Sequence, residues 1–222
     1  MAHQEWRQVT RSRFSDVRWF DELDSTNRVA AELARSGAGD GLVVGADHQT
    51  AGRGRRGRTW ESRPGASLLV SVVLRPAPAL VTLAAGVAAA EACEAVVAGP
   101  VHLKWPNDVM SAGKKLGGIL SELVGDAVVV GLGLNLGWAP PGAACLGPDV
   151  DRDGLLEAWL SALDEPSDVL SRYRARCSTL GHRVRVELPG ERVEGTAHAV
   201  DAQGRLMVDG RVISAGDVVH LR

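Results

Sequence analysis

Lysine is almost missing from this chain. Of 25 basic side chains in 222 residues, only Lys104, Lys114 and Lys115 are lysine, and all three fall within twelve positions. Arginine-rich codon usage explains the shortage without invoking a site. The alternative is a site that needs a compact ammonium where a planar guanidinium cannot substitute. Cysteine is also scarce: Cys93, Cys145 and Cys177 are odd in number and far apart. That excludes a disulfide framework and any C-x-x-C metal spacing, and it implies a reduced, cytoplasmic setting. The opening stretch, MAHQEWRQVTRSRF, has no apolar core and is not read as a secretory signal. The longest apolar run, Leu80 to Val97, is broken by Thr82, Glu91 and Glu94, so it reads as a buried helix and not a membrane span. Net charge is only −2, which argues against a general nucleic-acid binder. No internal repeat or low-complexity linker is visible.

What is present describes a folded chain. Apolar residues make up 45%, and the length suits one main domain with a smaller companion. The first twenty residues carry too little pattern to assign. DSTN (Asp24 to Asn27) supplies capping residues for a helix whose stripe is Val29, Ala30, Leu33 and Ala34, with Gly37 as its stop. GLVVGA, SLLVSVVLRP, VHLKW, GGILSEL and AVVVGLGLNL read as strands, with a turn at PND and another at GD. Helical patterns follow at 153–162 and 167–177. From Gly181 the pattern changes to strict alternation, with Val184, Val186 and Leu188 on one face and short turns after it. The expected class is α+β: a main domain over 1–180 and a small β module over 181–222.

Four stretches can carry chemistry. Gly52 to Arg58 packs four arginines and three glycines into seven residues. Glycines let backbone N–H groups approach phosphate oxygens, and arginines add paired donors. Four like charges side by side repel, so the loop is expected to be mobile until an anion orders it. No Gly-Lys-Ser/Thr ending makes it a P-loop, and a solvated basic loop is the plain alternative. KWPND ends a strand and places Asn107 and Asp108 at a sheet edge, although the same letters make an ordinary turn. In GKKLGGILSE, Lys115 adjoins a strand start, and Gly117 and Gly118 allow a ligand against the backbone. In GLGLNL the alternating glycines imply a close neighbour over that face, either backbone or ligand, and Asn135 offers both a donor and an acceptor.

Taken in order, DSTN, Q-x-x-GRGRRGR-x-W, KWPND, K-x-GGI-x-x-E and G-x-G-x-N closely resemble biotin protein ligase over roughly 21–136, and the ending ISAGDVVHLR resembles it more loosely. The resemblance implies a mixed-sheet catalytic domain of the biotin/lipoate ligase type and a C-terminal SH3-like β-barrel. It implies formation of biotinyl-5′-AMP from biotin and Mg2+-ATP, then transfer of biotin to one lysine of a biotin carboxyl carrier domain of an acyl-CoA or pyruvate carboxylase. By the same resemblance Ser25, Thr26, Gln49, Gly52, Arg53, Gly117 and Gly118 bind biotin. Lys115 bridges the biotin carboxylate and the α-phosphate, and Arg55 assists it. Arg55, Arg56, Arg58, Trp60, Asn107, Asp108 and Asn135 serve the nucleotide, and no protein metal site is implied. Partners from nucleic acid or membrane are not expected, and the family includes both monomers and homodimers.

Two departures stand out. Only 23 residues precede DSTN, too few for a helix-turn-helix module, so a ligase without repressor activity is expected. Leu69 stands where many members carry tyrosine or phenylalanine, which bears on the biotin pocket wall. Gly117 replaces a frequent alanine with little consequence. The rival enzyme is a lipoate or octanoate ligase of the same fold. Polar Ser25, Thr26 and Gln49 suit a ureido ring better than a bare acyl chain, and an octanoyltransferase would need a cysteine nucleophile, which no motif supplies.

Overall fold

The structure is a computed structural model, and it describes residues 13–164 and 166–221. Seven strands form a mixed sheet: β1 (Val17–Leu23), β2 (Val43–Gln49), β3 (Ser67–Leu74), β4 (Val101–Lys104), β5 (Asp108–Ser111), β6 (Lys114–Val124) and β7 (Ala127–Asn135). Their spatial order is β1-β2-β3-β7-β6-β5-β4. Only β1 and β2 pair in parallel, with α1 (Thr26–Arg35) as their crossover, and the other neighbours are antiparallel. Most strands fall where alternation and turn residues put them. Two were not foreseen. β1 lies in the stretch that carried no readable pattern, and β5 begins at Asp108, inside the expected turn. The long helix α2 (Val81–Glu94) is shorter than its apolar run, because Leu80 takes a left-handed conformation (φ 57°) at its start.

The two faces of the sheet differ. One buries Leu68, Val70, Val72 and Leu74 of β3 with Val128, Val130, Leu132 and Leu134 of β7 against α2 and α3 (Arg152–Asp164). The opposite face is covered over only half its area, where Ala30, Ala31 and Ala34 of α1 pack on Val44, Val73 and Val129. The uncovered half carries Leu69, Ser71, Gly131 and Gly133, aligned in register across β3 and β7. Glycine at 131 and 133 lets Asn27 and Trp60 pack directly against the strands there, and a cleft opens beside them.

After α4 (Val169–Arg176) come five antiparallel strands: β8 (Arg183–Leu188), β9 (Glu191–Val200), β10 (Leu206–Val208), β11 (Arg211–Ile213) and β12 (Asp217–His220), in the order β11-β10-β9-β8-β12. This small sheet matches the expected SH3-like module. Its core, including Val184, Val186 and Leu206, joins the larger cluster. Trp105 stitches the two sheets: it is 2% exposed, and its indole N–H donates to the Gly204 carbonyl at 2.9 Å. Burying a side chain this large contributes on the order of 2–3 kcal/mol, so the module is held firmly beside the cavity.

Candidate functional site

A cleft opens on the part of the sheet around Leu69 and Gly133, lined by residues of α1, β2, β3, β6, β7 and the glycine-arginine loop. One end is polar and neutral. Ser25, at the N-terminus of α1, is 2% exposed, and its hydroxyl makes no capping bond. The Thr26 backbone N–H donates to Gln49 Oε1 at 2.8 Å, and Thr26 Oγ1 lies 3.0 Å from the same oxygen. Ser71 Oγ lies 2.8 Å from Thr26 Oγ1 and 2.7 Å from Asn27 Oδ1. The floor is made of glycine. A Cβ at Gly131 would fall 1.9 Å from Asn27 Oδ1, and one at Gly133 would fall 2.7 Å from the Trp60 indole. The close neighbours over the alternating glycines are thus two side chains, Asn27 and Trp60, where backbone or ligand was expected.

Lys115 sits at the middle of the cleft through a β-bulge. The β5–β6 register runs Val109 to Gly117 and then Met110 to Lys115, so Leu116 is the extra residue. Leu116 and Gly117 turn to the core, where a Cβ at Gly117 would meet Leu134 at 2.3 Å. Lys115 is thereby returned to the cleft face with Gly118, whose Cβ would lie 3.5 Å from Nζ. Without the bulge, Lys115 and Gly118, three positions apart, would face opposite sides of the sheet. Nζ pairs with Asp108 Oδ1 at 2.6 Å and lies 6.0 Å from the Trp60 ring centroid.

The other end is cationic. The glycine-arginine loop contains a single 3-10 turn, Arg55–Gly57, in which Arg56 takes a left-handed conformation (φ 56°). Its charges have partners in the structure, unlike the self-repelling loop expected from sequence. Asp217 of β12 accepts hydrogen bonds from Arg58 at 2.8 Å and Arg56 at 3.4 Å, and lies 3.9 Å from Arg55 as an ion pair. Arg55 also donates to Asn107 Oδ1 at 2.9 Å and to the Gly216 carbonyl at 3.4 Å. Burial draws the Arg55 pKa down, and Asp217 opposes that fall. Arg53 points the other way, to Glu122 at 3.0 Å.

Of the residues singled out from sequence, Ser25, Thr26, Gln49, Arg53, Arg55, Arg58, Trp60, Asn107, Lys115 and Gly118 line the cleft. The rest lie off its wall. Gly52 is buried because a Cβ there would meet the Trp60 carbonyl at 2.5 Å. Gly117 faces the core, Arg56 pairs with Asp217, and Asp108 stands behind Lys115. Asn135 is 2% exposed and donates to the Ala144 carbonyl at 2.9 Å, leaving its Oδ1, like Trp60 Nε1, buried without a partner. Sequence reasoning gave no role to Asn27, Ser71, Glu122 or Asp217. Asn27 and Glu122 were letters of quoted motifs, Asp217 lay in the C-terminal ending, and Ser71 carried no signal.

Residues 19–136 match the Biotin/lipoate A/B protein ligase family, and 179–221 match the Biotin protein ligase C terminal domain. The chain is 43% identical to a biotin–[acetyl-CoA-carboxylase] ligase of Mycobacterium tuberculosis, covering 90% of this chain and 87% of that protein. It is 33% identical to a ligase of the same name from Paracoccus denitrificans, covering 88% and 96%. Among solved structures, biotin protein ligase from Aquifex aeolicus in complex with biotin and ATP superposes with a TM-score of 0.81 at 29% identity, covering 94% of this chain and all of that one. The Leishmania major enzyme in complex with biotinyl-5-AMP gives 0.67 at 28% identity, covering 93% and 98%.

Proposed function

We propose that this chain, which belongs to the biotin/lipoate A/B protein ligase family and is a biotin protein ligase, activates biotin in the cleft above Gly118. The ureido ring takes the neutral end, at Ser25, Thr26 and Gln49. The aliphatic tail lies along Leu69 and Gly118, beside the Trp60 indole that rests on Gly133. Its carboxylate meets the α-phosphate at Lys115, and the triphosphate extends toward Arg55, Arg58 and the loop backbone. The adenine lies on the Trp60 side, while Asn135, buried off the cleft wall, serves the nucleotide only through the Ala144 segment it holds.

The observation that carries this reading is the position of Lys115, between a neutral hydrogen-bonding end and a cluster of arginines. A carboxylate and a phosphate approach only with positive charge between them. One carboxylate oxygen attacks the α-phosphorus, and the bond to pyrophosphate breaks as the acyl phosphate bond forms. Lys115 and Arg55 hold the growing negative charge. The loop closing over the product keeps water from the mixed anhydride. The amine of a carrier lysine then attacks the acyl carbon, forming the amide and releasing AMP. No step needs a nucleophile from the protein.

Mg2+ fits as a companion of ATP. Asp108, Glu122 and Asp217 beside the cleft are each paired with a cation, and no cluster of three His, Cys, Asp or Glu that could hold a metal occurs among the described residues. An ion of this kind binds mainly through substrate phosphates and water, and it would offset part of the triphosphate charge. The acceptor is the carrier domain of an acyl-CoA or pyruvate carboxylase. The division into a catalytic unit, 1–180, and an SH3-like module, 181–222, is supported by the left-handed Gly181 that precedes β8.

A lipoate or octanoate substrate fits less well, because an aliphatic end would strand the buried polar groups around Thr26. None of the three cysteines lines the cleft, and burial pushes the Cys93 thiol up to about 12, so no thiolate is available for an acyl-enzyme. Biotin-dependent exchange of pyrophosphate into ATP tests the reading. Exchange with biotin but not with lipoate or octanoate is expected. Exchange with lipoate at a comparable rate would overturn the substrate assignment.

A further inference from the structure

Three close contacts at the neutral end share too few protons. They are Ser71 Oγ to Asn27 Oδ1 at 2.7 Å, Ser71 Oγ to Thr26 Oγ1 at 2.8 Å, and Thr26 Oγ1 to Gln49 Oε1 at 3.0 Å. Both amide oxygens can only accept, so two hydroxyl protons must serve three contacts. Other bonds fix the amide orientations. Asn27 Nδ2 donates to the Leu120 carbonyl at 3.1 Å and to Glu122 Oε2 at 2.8 Å. Gln49 Oε1 already accepts the Thr26 backbone N–H. Flipping either amide would set donor against donor or acceptor against acceptor.

One contact therefore has no proton, and burial decides which. Ser71 is 0% exposed and Asn27 is 4% exposed, so a bare contact between them would strand a buried acceptor. A bare Thr26–Ser71 contact would press two buried hydroxyl oxygens together. The Thr26–Gln49 contact is the longest of the three and faces the cleft, where Gln49 is only half-buried. The protons thus point inward, from Thr26 to Ser71 and from Ser71 to Asn27, in a chain that ends on the Glu122 carboxylate. Thr26 Oγ1 and Gln49 Oε1 are left facing the cleft as two acceptors.

We infer that Ser71, Asn27 and Glu122 are positioning residues which fix the Thr26 hydroxyl as an acceptor, so that this end of the cleft selects a ligand that donates N–H. A cyclic urea does so, and a thioether or alkyl end does not. The inference rests on biotin occupying this cleft and adds how its ring is chosen. In Ser71→Ala the Thr26 proton is free to turn to Gln49 and close the vacancy that a ligand N–H fills.

The test is a double-mutant cycle on biotin binding, measured by isothermal titration calorimetry without ATP, with thermal melting as the folding control. Ser71→Ala should weaken biotin about tenfold, the scale of one hydrogen bond. In a Thr26→Val background the same change should weaken it by less than about twofold, because the hydroxyl it acts through is gone. An equal loss in both backgrounds would overturn the inference, since Ser71 would then act through packing alone. If Ser71→Ala does not fold, Ser71→Cys, whose thiol is only a weak donor and acceptor, takes its place, and the same criterion applies. Failure of the wild-type chain to bind biotin would overturn the assignment of biotin, and this inference with it.

Discussion

The two ends of the cleft solve opposite problems. The neutral end is built from side chains on α1, β2 and β3 that are mostly buried, and its nearest carboxylate, Glu122, stands behind Asn27 and pairs with Arg53. Its hydrogen bonds are set before a ligand arrives. The cationic end is built from long arginines on a glycine-rich loop, and its shape depends on a carboxylate contributed by another sheet, Asp217. A ring recognised by hydrogen bonds requires rigidity. A polyphosphate whose charge moves during reaction requires mobile counter-charge that can be exchanged. One cavity can therefore be preorganised where it discriminates and adjustable where it reacts.

The contrast is tested most sharply at the junction. Lys115→Ala should lower biotin-dependent pyrophosphate exchange by about 10³-fold, the scale of losing a preorganised charge at a reacting centre. Biotin affinity measured without ATP should change far less. Equal losses in both would place Lys115 in ring recognition and erase the distinction between the ends.

A smaller effect is expected at Asp217. Asp217→Asn leaves three neighbouring guanidiniums without their shared counter-ion, so they repel and the loop departs from its held position. The KM for ATP should rise about fivefold, a change on the scale of partly exposed ion pairs, while biotin binding alone stays within about twofold. A fall in the KM for ATP would mean that Asp217 competes with the phosphates instead of positioning their partners.

The smallest effect concerns how the module sits. His220 on β12 stacks on His182 with centroids 5.2 Å apart, and its Nε2 is buried without a partner. Burial, then Lys104 and His182, hold its pKa below the ordinary 6.5. The unfolded chain therefore takes up the proton first as pH falls, and stability present above about pH 6.5 is lost in acid. Melting temperature should drop between about pH 7.5 and 5.5, and His220→Gln should flatten that drop. An unchanged slope in the variant would assign the acid sensitivity to other groups.

Much of this was legible in the chain itself. Alternation in RVRVEL, the β-branched run SLLVSVVL and the helix stripe after DSTN gave most elements and the α+β class, because local period and turn chemistry act over short stretches. Most of the cleft lining came only from the resemblance carried by the order of five motifs. β1 was not legible, because its pattern, VRWFDEL, has a half-buried face with charges at its end. The loop's partners were not legible either, since Asp217 lies some 160 positions from the arginines it holds.

The sequence alone determined which chemical groups the protein would own: a lysine where lysines are rare, arginines on glycines, and hydroxyls at a helix start. Only the tertiary structure decided how they are aimed. A single extra residue at Leu116 turns Lys115 onto the face of Gly118, and pairing between distant strands brings Ser71 beneath Thr26 and Asn27. Side-chain direction in a sheet depends on register, and register is settled by partners far away in the chain.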